Sequence, residues 1–254
     1  MKIRFLVLLL FVSKIGLSQS ETLDPLKTIN INTLISLFED KNIDQLAKHI
    51  NYPLNREYPL PSIKNEVDFK QRFSEVFDDK LIALIVNSKT EQWEEVGWRG
   101  IMLNDGIIWI DSTNGKIKAI NYESETERKN RTALIAMDKE NLHSSLKAFE
   151  NPTLKFKTKN HLIRIDQLAN NTYRYASWNI TDNESSKPDL ILNDGDYEFQ
   201  GNGGNYAIIF TNGLYTYTIY RNSISKDEEP KVTLEVLKSD QVVLTENGKL
   251  MDKN

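Results

Sequence analysis

Apolar residues recur in two rhythms along this chain of 254 residues, and the change between them divides it. Ile31, Leu34, Ile35 and Phe38 follow the i, i+3, i+4, i+7 spacing that puts side chains on one helical face, and Asp40, Lys41 and Asn42 end the run. Asn42, with Gln45 three residues on, has the form of a capping box and predicts a short second helix with Leu46, Ala47 and Ile50 inward. Pro53, Pro59 and Pro61 impose an extended connection, because proline fixes φ and disfavours helix in the residue before it. Asn65 can cap a third helix with Phe69, Phe73, Val76 and Phe77 on its apolar face, and Asp78 a fourth that runs through Leu81, Leu84 and Ile85. After Asn87 the period becomes two. Strands are predicted over 93–103, 106–111 and 116–122, joined by Asn104-Asp105-Gly106 and Asn114-Gly115, residues that tolerate the positive φ of tight hairpins. Helices followed by an antiparallel meander make an α+β pattern.

A charged stretch over 123–131 comes next, with Ser124 and Glu127 forming a capping box ahead of Leu134, Ile135 and Met137. It predicts a linker helix over 124–140. Beyond it almost everything reads as strand and turn, with strands over 153–158, 161–168, 172–179, 189–192, 196–200, 206–211, 214–221, 232–238 and 241–245. Asn193-Asp194-Gly195, Asn212-Gly213 and Asn247-Gly248 read as turns between them. Short strands at such intervals indicate a sandwich or a barrel, and a sandwich-like all-β domain over 141–254 is the expectation.

The N-terminus carries an address. Lys2 and Arg4 precede an apolar run over 5–12, and Gly16 and Ser18 have the small-residue spacing of a cleavage site, so 1–18 reads as a signal peptide cut near Ser18. The run is about half of the roughly 20 residues needed to cross a bilayer, and no later stretch approaches that length. Loss of Lys2, Arg4 and Lys14 with the leader takes the formal charge from -4 to -7. The mature chain is expected in the periplasm or outside the cell, with no membrane span.

Composition adds mainly exclusions. With no cysteine there is no disulfide framework, thiolate metal site or cysteine nucleophile, so an exported chain of this size must be held by hydrophobic cores. The negative balance gives no basic footprint for nucleic acid. His49, His143 and His161 are far apart and lack a zinc spacing, and the acids Asp182, Glu184, Asp189, Asp194 and Asp196 do not match a calcium loop. No nucleotide or cofactor fingerprint occurs. The sequence therefore assigns no catalytic residue, no metal and no cofactor.

The order of elements in the first half, with Glu95-Val96-Gly97-Trp98-Arg99-Gly100 followed by the hairpins at Asn104 and Asn114, resembles the cone-shaped NTF2-like (cystatin-like) domains of many small exported bacterial proteins. The resemblance covers about residues 26–122. It implies an NTF2-like α+β domain over 24–123, whose cone encloses a pocket that is catalytic in some members and only binds or dimerises in others. The His-Asp or Tyr-Asp pairs of the enzymatic members have no counterpart here, since His49 is the only histidine of this half.

Strand alternation supplies the candidate sites. Trp98 and Trp109 either wall an aromatic pocket, with Arg99 or Asp111 as its polar anchor, or fill the core between helices and sheet. Arg174 and Trp178 share one strand face, with Tyr173 and Tyr175 on the other, and Tyr215 and Tyr217 share a face of a later strand; Arg174, Trp178, Tyr215 and Tyr217 either form a binding surface or serve packing and cross-strand pairing. The function expected is that of an exported, non-catalytic two-domain binding protein whose partner is an envelope protein, a glycan or a small ligand. An enzyme working in the cone is the alternative.

Overall fold

A computed structural model describes residues 23–201, 204–223 and 230–251. The leader expected over 1–18 lies outside these residues. Four capped helices open the described chain: α1 (Pro25–Glu39), α2 (Ile43–Lys48), α3 (Glu66–Val76) and α4 (Asp79–Val86). Each begins at a short polar side chain that accepts a backbone N–H of the first turn: Asp24, Asn42, Asn65 and Asp78. The phenylalanines of α3 and its C-cap meet Phe38 of α1, with ring centroids 5.0 Å apart for Phe38–Phe77 and 5.1 Å for Phe73–Phe77.

A small antiparallel sheet packs on these helices in the order β1 (Trp93–Glu95), β2 (Ile101–Leu103), β3 (Ile108–Ile110) and β4 (Ile117–Ile120). Its strands are three or four residues long. The strand expected over 93–103 is broken by a single turn of 3-10 helix over Gly97–Arg99. Strands this short build no curved, pocket-enclosing wall, so the NTF2-like α+β cone is corrected to a helical layer over a small four-stranded sheet.

A longer helix, α5 (Glu125–Glu140), joins this unit to the second half and is anchored at both ends. Near its start the fully buried Glu127 accepts two hydrogen bonds from Arg56, at 2.7 and 2.6 Å. Arg56 also donates to the carbonyl oxygens of Ile120 and Tyr122, which ties helix, sheet and the 55–62 segment together. Near its end Asp138 pairs with Arg164 at 2.6 Å, and Arg164 in turn holds Asp166 at 2.7 Å. Asp166 also accepts from Arg174, whose guanidinium reaches the carbonyl oxygens of Leu146 and Ala148.

The second half is a closed eight-stranded antiparallel barrel: β5 (Asn151–Lys157), β6 (His161–Gln167), β7 (Tyr173–Asn179), β8 (Leu190–Gln200), β9 (Asn205–Asn212), β10 (Tyr215–Arg221), β11 (Val232–Lys238) and β12 (Gln241–Leu250). Every strand pairs with its neighbours in sequence, and β12 returns to β5. This overturns the expected β-sandwich, and two glycines explain the difference. Asn193-Asp194-Gly195 and Asn247-Gly248 are not turns but lie inside β8 and β12, strands of 11 and 10 residues. At Gly195 a Cβ would lie 2.3 Å from the Phe210 ring, and at Gly248 2.6 Å from the Phe156 ring. Asp194 takes a positive φ of 56°, and the register with β7 shifts beside it, as in a bulge. Such irregularities coil a long strand and allow closure, whereas a turn there would have produced short strands in two layers.

Across the middle of the barrel the inward positions are largely apolar, with Phe156, Ile163, Ile165, Ile208, Phe210 and Ile219 fully buried. Outward positions of β11 and β12 include Thr233, Glu235, Thr245, Asn247 and Lys249, together with Leu237 and Val242. Among the described residues no helix is long and apolar enough to cross a membrane.

Candidate functional site

Eight strands leave an interior just wide enough to be filled by side chains or to hold one small ligand. Here the middle is filled by the buried Phe156 and Phe210 and their isoleucine neighbours, so the two ends of the barrel are separate depressions.

The end toward the helical unit opens into a cleft of about 550 Å³. One side is the barrel mouth, with Tyr173 of β7, Tyr197 of β8, Tyr206 of β9 and Arg221 of β10; the other is the 55–62 segment with Arg131 of α5. The tyrosines form a continuous stack. Tyr173 and Tyr197 lie 5.8 Å apart at 29°, and Tyr197 and Tyr206 4.7 Å apart at 26°. Phe199, 77% exposed, extends the stack edge-on at 5.1 Å from Tyr197. Alternation along each strand is the cause: residues 197 and 199 of β8 face the same way as Tyr206, which is opposite Phe199 in the ladder. Burial pushes all three tyrosine phenols above their ordinary range, most strongly at Tyr206, where the Arg221 guanidinium opposes the effect without cancelling it. They remain protonated donors. Arg131 is held by Tyr58 and Glu57 of the facing segment and by Asn151 of β5, so the cleft is walled by both halves of the chain.

The opposite end holds a cup of about 450 Å³ lined by His161, Tyr175, Ser177, Tyr215 and Tyr217 among others. Its polar corner has a structural explanation. The ladder between β12 and β5 is only two pairs long, Lys249↔Lys157 and Leu250↔Phe156. Beyond its end the buried Glu246 accepts from Asn160, and from His161 Nδ1 at 3.0 Å, bridging the stretch of seam where backbone pairing stops.

The residues singled out from sequence fall into three groups. Trp98 is 64% exposed on the turn after β1, Arg99 stacks over Trp109 at 5.6 Å, and Asp111 caps the 111–116 turn through Thr113 and Asn114; these four line neither cleft. Arg174 and Trp178 share a face, but it is the outer face of β7 under the 142–149 segment. Arg174 joins the ion cluster there, and Trp178 donates to the carbonyl of Ser186 at 2.9 Å. Tyr215 and Tyr217 line the far cup. The residues missed are Tyr173, Tyr197 and Tyr206, with Arg131 and Arg221. Alternation did separate Tyr173 and Tyr175 from Arg174 and Trp178, but only closure decides which set faces inward. Among the described residues no group of three or more His, Asp or Glu is arranged to hold a metal. No family model, no curated protein and no solved structure matches the chain.

Proposed function

We propose that the chain is an exported, non-catalytic binding protein that takes a small ligand in the cleft between the barrel mouth and the 55–62 segment. The stack of Tyr173, Tyr197 and Tyr206 carries this reading. A row of flat, half-buried faces with hydroxyls at the edge offers stacking area together with hydrogen bonds, the combination by which aromatics with a polar handle dominate recognition. The volume of the cleft is within the range of small-molecule sites, roughly 300–1,000 Å³. The ion clusters at the two ends of α5 fix the walls relative to one another, which reduces the cost of ordering them on binding.

The test is native mass spectrometry of the chain isolated from cells that make it, wild type beside Tyr197→Ala. One small molecule retained per chain by the wild type and lost from the variant is the expected result. Equal retention by both, or retention by neither with no shift in melting temperature across a panel of aromatic and sugar ligands, rejects the reading.

A further inference from the structure

The charge of the cleft is out of keeping with the chain around it. The sequence carries a formal net charge of -4. Among the described residues, however, the cleft is lined by four cations, Arg56, Arg131, Lys155 and Arg221, and by one carboxylate, Glu57. Three of the cations have partners of their own: Arg56 is paired with the buried Glu127, Lys155 with Glu184, and Arg221 is engaged within the chain as well. Arg131 is different. Its acidic contact is Glu57 at 3.3 Å, whose side chain is 75% exposed, so water and salt weaken the pair. Arg221 is opposite Tyr206 in the β9–β10 ladder, and its Nη1 donates to the carbonyl oxygens of Asn222 and Lys231. The cleft thus has a flat aromatic wall and, in Arg131, a guanidinium whose acidic partner is open to water.

We propose that the ligand of this cleft is an anion built on a flat ring, its ring against Tyr197 and its carboxylate, sulfonate or phosphate beside Arg131. This rests on the reading of the cleft given above and names the chemistry it selects. A planar guanidinium donates in a fork that matches the oxygens of such groups, and charge-assisted hydrogen bonds are about twice as strong as neutral ones. The protonated phenols of Tyr173 and Tyr206 add donors and no competing negative charge.

Two fluorescent probes that differ by one sulfonate group provide the test: 1-anilinonaphthalene-8-sulfonate, and its uncharged parent N-phenyl-1-naphthylamine. Both are titrated into the full chain at low salt, and into Tyr197→Ala, Arg131→Gln, Arg221→Gln and, as a control in the far cup, Tyr217→Ala, with the melting temperature of each variant as the check on folding. The sulfonate is expected to bind at least about tenfold more tightly than the parent, the scale of one charge-assisted hydrogen bond. Its advantage should fall in Arg131→Gln or Arg221→Gln and in high salt, both probes should weaken in Tyr197→Ala, and neither should change in Tyr217→Ala. Equal affinity for the two probes, with both weakened in Tyr197→Ala, overturns the anion and leaves the cleft as a ligand site. No binding of either probe, or binding that only Tyr217→Ala removes, overturns the cleft as well. The comparison of probes on the unaltered chain is decisive even if an arginine variant does not fold.

Discussion

Glu246 points into the barrel where the β12–β5 ladder ends, and its environment sets both its charge and its role. Burial disfavours its ionised form, but hydrogen bonds from Thr158, His161 and Asn160 outweigh burial and hold its pKa below the ordinary glutamate value of 4.5. A carboxylate whose pKa is lower folded than unfolded contributes stability that is present in full above the unfolded value and is lost as the pH falls through the folded one. Glu246→Gln should therefore unfold at lower denaturant than the wild type near neutral pH, and the gap should narrow below about pH 4.5. Urea titrations at several pH values check this; a gap that does not change with pH would show that the clasp does not depend on charge. At this scale the sequence was only partly legible. Alternation sorted Tyr173 from Arg174, yet nothing in period two says that Glu246 is inward and Thr245 outward, because a carboxylate inside a barrel contradicts the pattern that identifies the strand.

The elements were easiest to read where turn chemistry and periodicity agreed. Asn212-Gly213 lies between β9 and β10, whose pairing runs from Tyr215↔Asn212 to Arg221↔Tyr206 without interruption. Helices α2, α3 and α4 start at the capping residues expected of them, since a short polar side chain before an apolar stripe has one satisfactory use. Reading failed where a turn signal lies inside a strand. Asn-Gly and Asp-Gly permit unusual backbone whether the chain reverses or merely coils, so a hairpin and a bulge look alike in sequence. Gly248 tests this account. It sits opposite Val232, and its missing side chain makes room for the fully buried Phe156 ring. Gly248→Ala should cost about 1–3 kcal/mol, the usual price of overpacking, with a lowered melting temperature as the measurement. An unchanged melting temperature would mean that the ring has room to move and that close packing at Gly248 does not shape β12.

The whole molecule has a hydrophobic core in each half, a third apolar cluster that takes in Ile135 of α5, and polar contacts at both ends of that helix, an arrangement that composition and periodicity do not reveal because the partners are far apart in sequence. Arg56 with Glu127, and Asp138 with Arg164, fasten the two ends of α5 to different halves. Arg164 keeps Asp166 and Glu184 when Asp138 is neutralised, so Asp138→Asn should cost less than the roughly 3–5 kcal/mol of stranding a buried charge, nearer 1–3 kcal/mol. It should also lower ligand affinity by loosening one wall of the cleft, which a probe titration beside a thermal melt measures; full affinity in a destabilised variant would show that the cleft does not depend on this joint. The filled middle of the barrel has a kinetic consequence. With Phe156 and Phe210 across the bore, a molecule that enters beside Tyr197 leaves by the same opening, past the 55–62 segment that Arg131 holds to α5. On the proposed reading, loading and release then share one opening, so a change that lengthens the residence of a ligand by tightening that segment slows its arrival as well.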